Sequence, residues 1–224
     1  VNFDFLSNPD YDLWAAFWMT IKLTFWSALG ALVWGIVLAG MRVSPVPLMR
    51  GFGTVYVNIF RNTPLTVLIT ATSIVLADTM LIELSDRFDT NAFALAILGF
   101  IAYTATFVCE AIRSGINTVP PGQAEAARAI GLTFIQNLTL IILPQAIRSV
   151  IAPLASVLIA LTKNTTVAAS VGVLEASLLM SNILEFEADG RTAAFLTFAA
   201  GFVLLTLPMG LILGAVAKRM TVKR

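Results

Sequence analysis

Five ionisable side chains stand inside or at the edge of apolar runs: Lys22, Arg61, Glu110, Arg113 and Lys163. A charge at the centre of a bilayer costs about 2.5–3.5 kcal/mol on insertion scales, so such groups pair with one another or face a water-filled path. Glu110 and Arg113 are three residues apart on one helix face, a spacing that predicts a structural ion pair. Arg61 lies beside Thr63 and Pro64, where a break in the helix would free backbone groups to meet a polar ligand; the same side chain can also snorkel to the inner interface, and the sequence leaves both open. Lys163, Asn164, Thr165 and Thr166 form a polar tetrad in an otherwise apolar stretch, and with Arg61 and Thr63 they are the candidate lining of a substrate path. Lys22, eight residues beyond Trp14, is expected to snorkel outward. Enzymatic chemistry has few means here. There is no histidine, which excludes imidazole metal ligation and His-based acid or base catalysis, and no metal site is expected. The single Cys109 has no internal disulfide partner and reads as an inert packing residue. No GxxxxGK[ST] loop is present to cradle the phosphates of ATP.

The elements that must position these groups are membrane helices. Of 224 residues, 58% are apolar and 12% charged, about half the charge of a soluble domain, and the mean hydropathy is +0.88. At about 20 residues per crossing, the length accommodates five or six spans and no separate soluble catalytic domain. The apolar runs predict an all-α integral membrane protein with five transmembrane helices in one domain, 1–224, with spans at 13–41, 54–77, 92–112, 138–164 and 192–217 and an inner loop at 114–137. Lys and Arg concentrate after spans one, three and five, as Arg42, Arg50, Arg113, Arg128, Lys218, Arg219, Lys223 and Arg224, whereas the other connections are acidic. Cytoplasmic loops retain basic residues, so the N-terminus is predicted outside and the C-terminus inside. Residues 165–189 are too polar at their end for a span and are expected to form a short re-entrant or surface helix on the outer side. Trp14 and Trp18 then fall in the outer headgroup layer. Asp4, Asp10 and Asp12 precede the first apolar run, an opening unlike a cleaved signal peptide, and a net charge of +1 argues against a nucleic-acid surface.

One inner segment asks for more than a connection. Pro120-Pro121-Gly122 is followed by the helix-forming stretch Gln123 to Ile130 and by Gly131, a natural stop, which predicts about two turns of helix, roughly 12 Å long. Glu125 lies near its positive N-terminal end, and Ala124, Ala126, Ala127 and Ala129 leave its surface bare enough for another protein's groove to approach. Glu125-Ala126-Ala127, three residues, Gly131, nine residues, Ile141, one residue, Leu143-Pro144 resembles the EAA signature of ABC-type importer permeases without a gap. The likeness is closest to the polar amino acid permease group. It extends to Phe60-Arg61-Asn62-Thr63-Pro64-Leu65, Val119-Pro120-Pro121-Gly122-Gln123, Leu143-Pro144-Gln145-Ala146-Ile147-Arg148 and Lys163-Asn164-Thr165-Thr166.

What the resemblance implies is a type I ABC importer permease fold in a bacterial cytoplasmic membrane, with Gln123, Glu125, Ala126, Ala127, Arg128 and Gly131 on the coupling helix that docks into a P-loop ATPase dimer. No cofactor is expected in this chain; MgATP would be bound and hydrolysed by the ATPase. A second homologous permease, or a second copy, would complete the path, and an extracytoplasmic substrate-binding protein would deliver the amino acid. The resemblance also implies a broken fourth span with Lys163 at mid-depth; counted along a continuous helix from Leu143, Lys163 would instead reach the outer rim, about 30 Å away. Members that carry cationic substrates often resemble Lys-Asp where this chain has Lys163-Asn164, which favours glutamate or aspartate over arginine or histidine. An ion-coupled secondary transporter or channel is the alternative, and it leaves the fully spaced loop unexplained. Glu125→Lys reverses the charge at the coupling helix and is expected to abolish ATP-driven uptake with membrane insertion intact; normal uptake at normal expression would refute the assignment.

Overall fold

The computed structural model describes residues 2–220, Met220 by its backbone alone; Lys223 and Arg224, counted among the inner charges, lie outside the described residues. The first long helix, α1 (Leu13–Val43), starts where the Asp12 carboxylate accepts a hydrogen bond from the Ala15 N–H at 2.8 Å, and it stops before Pro45. Next, α2 (Pro47–Asn62) opens with proline in its first turn, where the missing N–H is of no consequence. After Thr63 and Pro64 the chain continues as α3 (Leu65–Ser73) and a π-helical turn over Ile74–Thr79. The central helix α4 (Phe88–Ile116) is followed by the short α5 (Pro121–Ala129). One turn, α6 (Phe134–Gln136), widens into a π-helical stretch over Asn137–Ile142 and runs on as α7 (Leu143–Asn164), which tightens to 3-10 geometry over Thr165–Val171. The chain ends with α8 (Ala176–Phe186) and α9 (Arg191–Met220). No β-strand occurs among the described residues.

Among the described residues, four stretches are long and apolar enough to cross a membrane: Leu13–Val43, Phe88–Ile116, Phe134–Val171 and Ala188–Arg219. Pro47–Asn62 and Leu65–Thr79 meet the same test only together, bent by 103°. The single run expected over 54–77 is therefore two helices, the first starting seven residues earlier. Proline causes the break: Pro64 cannot donate to the preceding turn, and its ring holds Thr63 in an extended conformation, with φ −89° and ψ 133°.

Packing centres on α4. Lipid tails are as apolar as leucine, so helices associate by close contact along small residues. Ala31, Gly35 and Ala39 of α1 meet Ala105 and Val108 of α4, and a Cβ on Gly35 would stand 2.5 Å from Val108 Cγ1 and 3.0 Å from the Ala105 carbonyl. On the other side, a Cβ on Gly115 would come within 2.2 Å of Val150 Cγ2 in α7. The Tyr56 hydroxyl donates to the Ala102 carbonyl at 3.1 Å and ties α2 to the same helix.

At the end of α1 that carries the acidic N-terminal segment, α8 packs against α1 and α9 through Ala16, Ala176, Leu179, Ile183, Ala194 and Phe198. This is the short helix expected within 165–189. Glu175 caps it: its carboxylate accepts from the N–H groups of Ser177 (2.9 Å) and Leu178 (3.1 Å) and from the Thr20 hydroxyl (3.4 Å), with the side chain wholly buried. Burial pushes its pKa from 4.5 up to about 7, against the opposing pull of the three donors. The folded chain therefore favours the protonated carboxyl. Stability is fully present below about 4.5, declines as pH rises, and bears the whole penalty above about 7, on the order of 3 kcal/mol. The melting temperature is expected to fall between pH 5 and pH 8, and Glu175→Gln to flatten that dependence; parallel profiles for the two proteins would contradict this.

Candidate functional site

The short helix α5 is held in place by the residues on its C-terminal side. Its last carbonyls are met in a left-handed turn: Gly131, at φ +89°, donates to the Arg128 carbonyl at 2.9 Å, and Leu132 donates to that of Ala127 at 3.1 Å. Thr133 and Gln136 form a reciprocal capping box that starts α6. Two side chains then reach back. Asn137 Nδ2 donates to the Ala124 carbonyl at 2.9 Å, and Gln145 Nε2 donates to Gln123 Oε1 at 2.5 Å. Ala127 is buried, so this alanine seats α5 on the body of the chain and is not part of the bare surface expected of it. Gln123, Glu125, Ala126, Arg128 and Gly131 are exposed. Neither tie is legible in the sequence, because a contact between residues 13 or 22 positions apart leaves no local pattern.

Glu110 was expected to pair within its own helix. Its closer partner is Arg42 at the end of α1, through Nη1 to Oε1, and Arg113 approaches the other oxygen at 3.8 Å. The Arg42 side chain is only 9% exposed, and its guanidinium also donates toward the Cys109 sulfur at 3.9 Å. This ion pair, enclosed on its Arg42 side, clamps the ends of α1 and α4 together; removing Glu110 would leave Arg42 without its mate, and removing Arg42 would leave Glu110 only the longer contact to Arg113. Cys109 is fully buried, as expected of a packing residue.

The candidate path residues divide into two groups. Arg61, in the last turn of α2, lies over the Phe107 ring at 5.8 Å, a cation–π contact. Phe107 also lines a cavity of about 380 Å³ with Tyr103, Thr104, Ser156 and Asn164. Arg61 thus meets, from α2, an aromatic ring of α4 whose cavity Asn164 helps to line from α7. Thr63 lines a neighbouring hollow of about 470 Å³ between the two halves of the bent pair and α4, its hydroxyl turned back to the Ile59 carbonyl at 2.8 Å. Lys163 is exposed at the end of α7. Thr165 and Thr166 are not brought into the cavity; their hydroxyls donate to the Thr162 and Lys163 carbonyls at 2.8 and 2.9 Å, within their own turn. The broken fourth span is absent: α7 runs unbroken through Pro153 to Asn164, and only its pitch changes at Thr165.

Residues 14–222 match the family described as binding-protein-dependent transport system inner membrane components. The chain belongs to that family. Among curated relatives, this permease is 52% identical over 214 residues to the glutamate transport system permease protein GluC of Corynebacterium glutamicum, spanning 93% of this chain and 94% of that one. It is 29% identical to the glutamate/aspartate import permease protein GltJ of Escherichia coli, over 92% and 86% of the two chains. Its fold matches that of a crystallised amino acid ABC transporter with histidines at a TM-score of 0.77, with 25% identity and 98% and 100% of the two chains covered. It also matches the fold of the MetNI methionine ABC transporter in an inward-facing form, at a TM-score of 0.74 with 21% identity over 94% and 96% of the two chains. The permease is an all-helical membrane component with the fold of type I ABC importers. Replacing both Asn137 and Gln145 by alanine removes two ties worth about 1 kcal/mol each, so backbone amides of Pro121–Ala129 are expected to exchange hydrogen at least tenfold faster. Unchanged exchange would mean that α5 is held by the chain ends alone.

Proposed function

We propose that this permease forms half of the translocation path of an ATP-driven importer for an acidic amino acid, glutamate first and aspartate second. The 52% identity to GluC over nearly the whole of both chains carries the substrate assignment. In this reading the bent pair of α2 and α3 is the fifth crossing, so that the spans are α1, α2 with α3, α4, α6 with α7, and α9. A P-loop ATPase dimer meets the exposed residues Gln123, Glu125, Ala126, Arg128 and Gly131, Ala127 seating the helix from behind. MgATP is bound and hydrolysed there, and the work reaches α7 through Asn137 and Gln145. A second homologous permease, or a second copy, faces the cavity around Phe107, and an extracytoplasmic binding protein loads it from the α8 side.

The chemistry of the cavity supports an acidic substrate. A carboxylate is best met by a guanidinium, and a second carboxylate requires a second cation. Arg61, held against the Phe107 ring, would supply the first and Lys163, exposed next to Asn164 in the last turn of α7, the second, while Asn164 offers both donor and acceptor to the ammonium end of the substrate. The lining has no carboxylate to attract a basic side chain. Two states are required, one open to each side, with ATPase closure shifting the balance. The test is uptake into proteoliposomes holding the permease pair, the ATPase and the binding protein. Glutamate accumulation is expected only with ATP, inhibited by aspartate but not arginine, and reduced at least tenfold in Arg61→Ala. Uptake that follows an ion gradient and ignores ATP would overturn the proposal.

A further inference from the structure

We infer that a groove along α1, on the side of the molecule away from the cavity, is a binding site for an anionic phospholipid, with Lys22 holding the headgroup. The groove has a volume of about 350 Å³ between α1, α7 and α9 and is lined by Ile21, Phe25, Leu29, Leu158, Leu205 and Met209, among others. Its two hydroxyls are turned away: Thr24 donates to the Thr20 carbonyl at 2.9 Å and Thr162 to the Leu158 carbonyl at 2.9 Å. What remains is an apolar concavity with no polar group offered to a water or a solute.

Three features specify the occupant. The first is which way the groove faces. On α7, Leu158 lines the groove and Ser156 the cavity, as do Thr162 and Ala160; two residues at about 100° each put these faces on opposite sides of the helix, about 200° apart. If the second permease covers the cavity, as the proposed function requires, the groove looks out into the bilayer. The second is length. From Ile21 to Leu32 the α1 wall is about 17 Å long, close to the depth of one leaflet in a hydrocarbon core of about 30 Å. The third is charge. Trp14, Trp18, Lys22, Phe25 and Leu29 succeed one another along this edge of α1, with Trp14 79% and Trp18 50% exposed. Lys22 has no ion-pair partner among the described residues. At the outer end of the apolar wall there is thus a cation beside the groove, and beyond it two indoles at headgroup level, the order in which a phospholipid presents chain, phosphate and interface once Lys22 snorkels outward. A zwitterionic lipid fills the same groove, but only an anionic one neutralises Lys22.

The test uses the assembled transporter in phosphatidylcholine vesicles doped with brominated phosphatidylglycerol or, at the same fraction, brominated phosphatidylcholine. Trp18 and Trp26 lie one turn to either side of Lys22 and report a brominated chain in the groove by loss of fluorescence. The anionic lipid is expected to quench with roughly fivefold preference, the factor one interfacial cation contributes. Lys22→Gln should equalise the two lipids with the fold intact, and Ala28→Phe, which fills the groove, should lower quenching by both. Equal quenching in the unaltered protein would overturn the inference, as would an efficient cross-link from Leu29→Cys to the second permease, which would make the groove a protein interface. ATP-driven uptake by the same vesicles separates the two readings: preference without uptake counts against the proposed function, and uptake without preference against the lipid site.

Discussion

The bent pair and α7 are placed by how closely α1 can approach α4. With no water to exclude between apolar surfaces in lipid, that approach depends on small side chains and on the dispersion contacts they permit. Gly35 and the alanines around it allow it along the middle of the seam, and the Arg42–Glu110 pair closes its end. Because α4 is fixed on this side, its other faces are free to carry the bent pair and α7, and it is between these that Phe107 meets Arg61 and lines one cavity with Asn164. A partly buried ion pair is no guarantee of net stability, but here it specifies register: an α1 displaced by a turn would leave Glu110 facing Arg113 alone.

Much of the architecture is legible in the sequence. Apolar runs are an imprint of the bilayer's thickness, and the asymmetry of Lys and Arg is an imprint of its two sides, so the helical class and the positions of most long helices can be read directly. The short inner helix is equally legible, since proline at its start and glycine at its end are local signals. The division of the run at 54–77 is half visible: Pro64 marks a break, but nothing beside it says that the chain turns by 103°. That angle follows from Thr63, held extended before the proline, together with what α2 and α3 pack against.

The candidate site is less legible, for a consistent reason. Charges in apolar runs draw attention one at a time, and sequence pairs them with whatever is near along the chain. Spacing accordingly gives Glu110 to Arg113, whereas its close partner is 68 positions away in α1. Thr165 and Thr166 resemble lining residues because hydroxyls interrupt an apolar stretch, yet each satisfies itself on the preceding turn, as hydroxyls in membrane helices readily do. Glu175 carries no signal of its own, because an acidic residue beside a polar connection is ordinary until Thr20 and the first N–H groups of α8 enclose it.

The π-helical stretch over Asn137–Ile142 has a consequence for phase. A π-turn holds one residue more than the α-turn it replaces, and each residue of an α-helix carries about 100° of rotation and 1.5 Å of advance. Everything beyond Leu143 is therefore set in azimuth by how those six residues are wound. Asn137 ties the start of the stretch to α5, and Asn164 stands at the far end of the helix it feeds. Like a key turned at its bow, a single residue's change in winding would sweep Ser156 and Asn164 through more than a quarter of a circle, with hardly any movement along the axis.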